Sequence, residues 1–440
     1  MLAMIGLVLA LALLVTLAMR GWSILIAAPL CAIIVAVTAN LSLLPVLAAP
    51  GDGNFTSTYM AGFTKFVGSY FIVFLLGAVF GKLMEETGSA DSVAHWVIEK
   101  LGLKYATTAV VLACALLTYG GVSVFIVAFS VYPMAVSLFR QADLPRRFIP
   151  GTIAFGSVTF TMTSAGSPEI QNLIPIEYLG TTYLAGWQVS LPVAMIMAAM
   201  GFLWLHRIMG KAKKNGERFV ARNSDNESRD FSNLPHPIFS LVPLLVVQAV
   251  AFTLRDWGLD GLVVALLAGV LVLMAIHLAK LVSLGGAFTA GGMGAMIAAA
   301  NTGAVVGFGA VAKVSPAFDM ALNAVTSLPG SPLISAAIAV TVICGLTGSA
   351  SGGQTIALPL LAPQYVGEGA EQPVDPEALH RVIAIASGAL DSLPHNGYVV
   401  TTIRAICGET HKDAYGTVAA LTVVIPAIGT VLAVLLFIAF

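Results

Sequence analysis

Two stretches of this chain carry the same polar pattern, and both lie inside apolar sequence. The first reads Cys114-Ala-Leu-Leu-Thr118-Tyr-Gly120-Gly121-Val-Ser123, then Ile153-Ala-Phe-Gly-Ser157 and Thr161-Met-Thr163-Ser164-Ala-Gly166-Ser167-Pro168-Glu169. The second reads Cys344-Gly-Leu-Thr347-Gly-Ser-Ala-Ser351-Gly352-Gly353-Gln354-Thr355, then Ile383-Ala-Ile-Ala-Ser387 and Asp391-Ser392-Leu-Pro394-His395-Asn396-Gly397. Cys114 and Cys344 stand 230 residues apart, and Ile153 and Ile383 repeat that spacing. Matching Gly/Pro-broken polar segments in two halves of a membrane protein mark the binding site of a secondary transporter.

The chemistry open to these residues is anion and proton binding. Hairpin tips and broken helices expose helix N-terminal N–H groups and the positive end of the helix dipole, which hold anions without a buried cation. Gly120, Gly121, Gly352 and Gly353 let backbone come close to a ligand, and Ser123, Thr163, Ser164, Ser167, Asn172, Ser351, Gln354, Thr355 and Asn396 can bond a carboxylate or a hydroxyl. Neither the two interruptions nor the two tips contain Lys or Arg, so dipoles and neutral donors are expected to hold an anion there. Gly and Ser also serve plain helix packing in membranes; their recurrence in two copies, each followed by a break, favours a site. Glu169, Asp391 and His395 are ionisable and lie in the broken segments. Charge at membrane depth is expensive and is functional by default. Asp391 is the expected proton carrier. Glu169 either shares that role or caps the half-helix after Pro168, and His395 either relays protons or satisfies a local hydrogen bond.

The elements that position these residues follow from composition. The chain has 440 residues, 58% hydrophobic and 10% charged, with mean hydropathy +0.93. Soluble domains carry about 25% charged residues, so this is a polytopic membrane protein, and its net charge of −1 suggests no nucleic-acid partner. Four cysteines in apolar runs read as small buried residues, with no metal or cofactor implied. Apolar runs at 2–19, 22–48, 63–81, 185–205, 238–254, 260–279, 284–311 and 416–439 are long enough to span, and 148–176 and 380–403 are interrupted spans. Segments 105–139 and 331–363 read as re-entrant helical hairpins with Gly-Gly tips. Basic residues at both ends of the first (Lys100, Lys104, Arg140, Arg146, Arg147) place both ends in the cytoplasm. The resulting ten crossings leave only Lys65, Arg255, Lys313 and Arg381 of the 21 Lys/Arg on the outer side. Both termini are then outside and the central polar loop cytoplasmic.

The expected fold is all-α, with two inverted-topology repeats of five transmembrane helices and one hairpin each. The N-terminal repeat covers 1–206, a cytoplasmic linker 207–237 and the C-terminal repeat 238–440. Residues 89–101 read as an interfacial amphipathic helix, and 314–328 as its mirror copy. The pair Asn301-Thr302 either faces the pocket or bonds between helices.

The hairpin Thr118-Tyr-Gly-Gly-Val-Ser, the run Thr161-Met-Thr, Glu169-Ile-Gln-Asn172-Leu-Ile-Pro175 and Ser387-Gly-Ala-Leu-Asp-Ser-Leu-Pro-His-Asn-Gly397 together resemble the gluconate permease (GntP) family. The Leu-Pro-His-Asn-Gly stretch and the Asn301-Thr-Gly-Ala-Val-Val-Gly-Phe-Gly run are more similar to its 3-hydroxybutyrate permease branch. The resemblance implies a proton symporter for a small hydroxymonocarboxylate in the bacterial inner membrane. It also implies the ion transporter superfamily's scaffold (1–81 and 238–328), transport domain (105–205 and 331–440), homodimer and elevator motion. The superfamily's sodium-coupled members carry Ser-Asn-Thr at the hairpin tips; here the tips read Gly-Gly-Val-Ser and Gly-Gly-Gln-Thr, which fits protons better than sodium. A sodium-coupled organic anion symporter is the nearest alternative. A passive channel and an intramembrane serine hydrolase built on Ser351 and His395 are further ones, and neither accounts for the duplicated pattern.

Overall fold

The computed structural model describes residues 2–20, 22–49, 53–221, 233–277, 284–318, 320, 330–367, 370, 373–394 and 396–439. Helices α1 (Leu2–Met19) and α2 (Ile24–Thr38) precede a long α3 (Phe55–Glu86) and an amphipathic α4 (Ser89–Leu101). A helical pair, α5 (Ala106–Tyr119) and α6 (Val124–Gln141), leads into α7 (Ile149–Ala154), α8 (Ile170–Leu179) and α9 (Trp187–Lys214). The second half runs α10 (Pro237–Thr253), α11 (Leu259–His277) and α12 (Leu284–Lys313). The pair α13 (Pro332–Thr347) and α14 (Ala350–Tyr365) follows, then α15 (Pro376–Leu390), the short α16 (Gly397–Val400) and α17 (His411–Ala439). Among the described residues six helices are long and apolar enough to cross a membrane. Each expected span holds a helix, although that read at 22–48 is helical only over Ile24–Thr38, and each expected hairpin is a pair of packed helices.

Local sequence sets several of the boundaries. Asn54 accepts the Ser57 N–H at 2.9 Å to start α3, and Thr410 accepts that of Asp413 at 3.2 Å to start α17. Ser331-Pro332 and Asp375-Pro376 put a capping side chain and then a proline at the first helical position of α13 and α15. The helices α3 and α12 cross at close range, which small residues permit. A Cβ at Gly291 would stand 2.8 Å from the Val79 Cα, and one at Gly62 2.6 Å from the Ala310 Cβ. Large apolar side chains on α1, α9, α11 and α17, such as Val8, Met195, Leu271 and Val431, face outward, as lipid contact requires.

Helical structure stops where the polar runs fall. After α7 comes a wide π-type turn, Phe155–Thr159, and the chain stays out of regular helix until Ile170. After α15 it leaves the helix at Asp391, re-enters at Gly397 and passes through a second wide turn, Thr401–Ile406. Such turns are frequent at functional sites. The α5–α6 pair turns at Gly120–Ser123, where Gly121 has φ +90. The α13–α14 pair differs from expectation. Its turn is Gly348-Ser349, and Gly352-Gly353 lie in the first turn of α14. The reason is steric. A Cβ at Gly353 would stand 2.2 Å from the Cys344 Sγ and 2.7 Å from its Cα, so this glycine lets the two helices touch.

The amphipathic helix at 89–101 is present as α4, and its buried face packs on α5, α6 and α10. Most of its expected mirror copy, 314–328, lies outside the described residues, as does His395. Thr302 donates to Ala298 O within α12 at 3.1 Å, so its hydroxyl serves its own helix.

Candidate functional site

The first break is held open by a residue that the sequence had assigned to the outer surface. Arg381, in the second turn of α15, is wholly buried. Its Nε donates to Ala185 O at 2.9 Å, Nη1 to Thr163 O and to Asn172 Oδ1 at 2.6 Å each, and Nη2 to Tyr183 O at 3.3 Å. Three of these acceptors are carbonyls of non-helical backbone, which at membrane depth must find partners inside the protein. Asn172 completes the clamp: its Nδ2 donates to Ser164 O at 2.6 Å and Ser167 O at 3.0 Å. Among the described residues no carboxylate lies within ion-pair distance of Arg381. Beside the neutral groups and dipoles expected there, a guanidinium stands against Thr163 and Asn172. The sequence signal was one arginine in a run, Ala378 to Leu390, that holds no other Lys, Arg, Asp or Glu. Counting it for topology hid it.

Hairpin α13–α14 reaches the same place. Gln354 Nε2 donates to Gln171 O at 3.1 Å and to Ser387 Oγ at 2.9 Å, which joins α14 to α8 and α15. Gly388 lies against the Thr163 methyl, a Cβ there meeting it at 3.4 Å. The Ser167 hydroxyl and the amide oxygens of Gln171 and Gln354 are buried with no hydrogen-bond partner. An orphaned buried polar atom costs about 1–3 kcal/mol, and groups of them in one place suit a polar ligand. The set offers one hydroxyl donor and two amide acceptors.

Hairpin α5–α6 touches the break from its other side. Tyr119 OH donates to Ala165 O, and a Cβ at Gly121 would lie 3.3 Å from Pro168. Gly120 faces Leu244 of α10 with almost no room, a Cβ there standing 2.7 Å from the leucine. Ser123 precedes α6 but makes no side-chain cap. Glu169 occupies the corresponding position before α8, and its carboxylate makes no capping bond either.

The remaining expected residues gather elsewhere. Asn396 caps α16 by accepting the Val399 N–H at 2.9 Å, and its Nδ2 ties the α13–α14 turn by donating to Gly348 O at 3.1 Å. Asp391 is buried at the end of α15, its Oδ1 accepting from Ser392 at 2.9 Å. Ser349 caps α14 by accepting the Gly352 N–H at 3.1 Å, and the Ser349 and Ser351 hydroxyls lie 3.3 Å apart. Thr355 donates to Ser351 O and Gly352 O, and its outer side lines a cavity between α14 and α3. Thr163, Ser164, Ser167 and Asn172 are thus drawn together at the Arg381 clamp, Gln354 bonds to Gln171 next to it on α8, and Asp391 and Asn396 sit at the second break.

Known proteins bear on this arrangement. The chain is similar over 96% of its length to the uncharacterized transporter YxjC of Bacillus subtilis (strain 168), at 36% identity and covering 96% of that protein. It is 28% identical to the high-affinity gluconate transporter of Escherichia coli (strain K12), over 43% of this chain and 41% of that one. In fold it is similar to Neisseria gonorrhoeae MtrF, described among antimetabolite efflux pumps, with a TM-score of 0.50, 14% identity and coverage of 96% and 94%. The family profile of the GntP permeases matches residues 1–439. This multi-pass helical membrane protein, with its broken helices drawn around a buried arginine, therefore belongs to the GntP permease family of transporters.

Proposed function

We propose that this permease is a proton symporter that imports a small hydroxymonocarboxylate, such as gluconate or 3-hydroxybutyrate, across the bacterial inner membrane. The observation that carries the reading is the buried Arg381, with no described carboxylate within ion-pair distance, in a region where polar atoms of Ser167, Gln171 and Gln354 are orphaned. A guanidinium favours a carboxylate, and two free amide oxygens accept from hydroxyls. The partial relative named for gluconate supports the same class. In this reading Thr163, Ser164, Ser167, Asn172, Gln354 and the backbone near Gly121 and Pro168 frame the substrate. Asp391 takes and releases the coupling proton.

Two inverted repeats, 1–206 and 238–440, would supply the architecture. The correspondence of α5–α6 with α13–α14, and of the break after α7 with the break after α15, supports it. A scaffold of 1–81 and 238–328 would carry the dimer contact. A transport part of 105–205 and 331–440 would move across the membrane in elevator fashion. Termini outside and the basic loop after α9 inside agree with the charge bias. The test is uptake of radiolabelled gluconate and 3-hydroxybutyrate into proteoliposomes under an imposed pH gradient or an imposed sodium gradient. Accumulation with the proton gradient alone is the expected result. Accumulation only with sodium sinks the coupling assignment, and equilibration without accumulation sinks symport.

A further inference from the structure

A cavity of about 190 Å³ opens between α3 and α12 on one wall and α8 and α14 on the other. Lys65, Tyr70, Glu177, Tyr178, Lys313 and Thr355 line it. Pockets for drug-sized ligands run about 300–1,000 Å³, so this one is scaled to a small acid. Its charges are unequal. Glu177 is held from α3 at both oxygens: Tyr70 OH donates to Oε2 at 2.8 Å and the Lys65 ammonium stands 3.9 Å from Oε1. Lys65 also lies 5.6 Å from the centre of the Tyr178 ring. Lys313, the last residue of α12, has no carboxylate within ion-pair distance among the described residues. Two lysines against one glutamate leave a formal excess of one positive charge.

The cavity abuts the Arg381 cluster through two helices. On α14, Thr355 lines the cavity while its neighbour Gln354 bonds to Gln171 and Ser387. On α8, Glu177 lies about 8 Å along the helix from Asn172, at 1.5 Å per residue. Along α8 the cavity is thus about one and a half helical turns from the clamp.

We propose that this cavity is an anion antechamber, in which Lys313 captures a monocarboxylate before it reaches the Arg381 site and Glu177 sets the charge limit. This rests on the transport reading above. Lys313 supplies a cation with no described carboxylate at ion-pair distance. Lys65 becomes a second ligand when the arriving carboxylate competes with Glu177. One excess positive charge matches one carboxylate; a second carboxylate on the ligand would face Glu177, and unlike-sign steering would turn to repulsion.

The test uses the full-length protein and gluconate as probe. Purified protein is exposed to an amine-acylating reagent with and without saturating gluconate, and modification at each lysine is read by peptide mass spectrometry. Acylation of Lys313 is expected to slow severalfold, while Lys213 at the end of α9 keeps its rate. Equal rates at Lys313 with and without gluconate overturn the antechamber whatever the transport data show. In proteoliposomes, Lys313→Gln is expected to raise KM for gluconate about fivefold with kcat unchanged, and Lys313→Arg to restore it. An unchanged KM in Lys313→Gln also overturns it. Glu177→Gln is expected to admit a dicarboxylate such as malate as a competitor; continued exclusion of malate refutes the charge limit. If Lys313 is protected while no monocarboxylate accumulates in any gradient, the transport reading falls and the anion site stands.

Discussion

Arg381→Lys tests the clamp directly, because it keeps the charge and removes the fork. The guanidinium reaches four acceptors from three nitrogens, at Ala185 O, Thr163 O, Asn172 Oδ1 and Tyr183 O. A lysine carries three N–H donors on a single nitrogen, which cannot approach acceptors arranged around both edges of a planar group. We expect two of the four bonds to be lost. Hydrogen bonds to charged groups contribute about 1.5–3 kcal/mol each, so the loss is about 3–6 kcal/mol. Each 1.36 kcal/mol is a factor of ten, so if part of that loss appears in the inactivation barrier, the half-life in detergent at fixed temperature falls at least about tenfold. Uptake of gluconate should fall with it, since the freed carbonyl of Thr163 belongs to the segment proposed to frame the substrate. Arg381→Met adds the opposing effect. It removes a buried charge, which relieves desolvation, yet leaves four acceptors without their donor. The clamp argument expects Met to be worse than Lys in uptake, since only Lys retains a cation. A lysine variant with the wild-type half-life and uptake, or a methionine variant that transports at the wild-type rate, would refute the reasoning.

Other substitutions separate packing from binding. Gly353→Ala drives a Cβ into the Cys344 backbone, so the hairpin must part; expression and melting temperature should drop, and Cys344→Ala should rescue only in part because the backbone of residue 344 still stands in the way. Gln354→Leu keeps the volume but leaves Gln171 O and Ser387 Oγ without their donor; at about 1–3 kcal/mol for such a loss, KM for gluconate should rise roughly tenfold. Asp391→Asn should exchange substrate between equal pools yet fail to accumulate it on a pH gradient; proton uptake that persists unchanged with substrate ends the role given to Asp391. In the loop after α6, the Arg218 side chain and then the Phe219 N–H hold the Asp143 carboxyl below its ordinary range. A lowered folded value stabilises above the unfolded value, near 3.9, and is lost as pH falls through the folded one. Hydrogen exchange of that loop should therefore stay protected at pH 6 and open at strongly acid pH, and Arg218→Gln should shift the opening upward.

Much of the scaffold was legible because a membrane leaves few choices. Length and apolarity located some helices to within a few residues, as at 284–311 against Leu284–Lys313, but missed one end by eight residues at 63–81 against Phe55–Glu86 and by ten at 22–48 against Ile24–Thr38. Polar runs located both breaks, since helix ends at Thr161–Ser167 and Asp391–Asn396 need the donors those runs supply. The inner geometry was less legible. Gly352-Gly353 looked like a turn because Gly-Gly is permissive, whereas the turn falls at Gly348-Ser349 and Gly353 answers a clash with a residue nine positions earlier. Asn396 reads as a ligand for its amide, and the structure gives that amide a cap and a tie that no sequence spacing announces. Arg381 went unread for a deeper reason: its partners are carbonyls of Thr163, Tyr183 and Ala185, and a carbonyl is present in every residue. No pattern of side chains announces an arginine that binds backbone.

That choice of partners bears on how an anion could be bound at all. A buried arginine paired with a carboxylate is neutral as a unit, and an incoming acid would have to displace the partner. Carbonyls satisfy the donors of Arg381 without cancelling its charge, so the site keeps a positive field while every bond is made. The same bonds hold the chain out of helix between Phe160 and Glu169, which frees N–H groups at the start of α8. Fixing the break and charging it are therefore one act. Moving the positive charge by a single turn of α15 would leave the break unsupported and the cation unsatisfied, so exchanging Arg381 and Ala384 (Arg381→Ala with Ala384→Arg) should abolish both folding yield and uptake, although composition and net charge are unchanged. Wild-type uptake in that double variant would show that the charge alone, and not its seat among the carbonyls, is what the site requires.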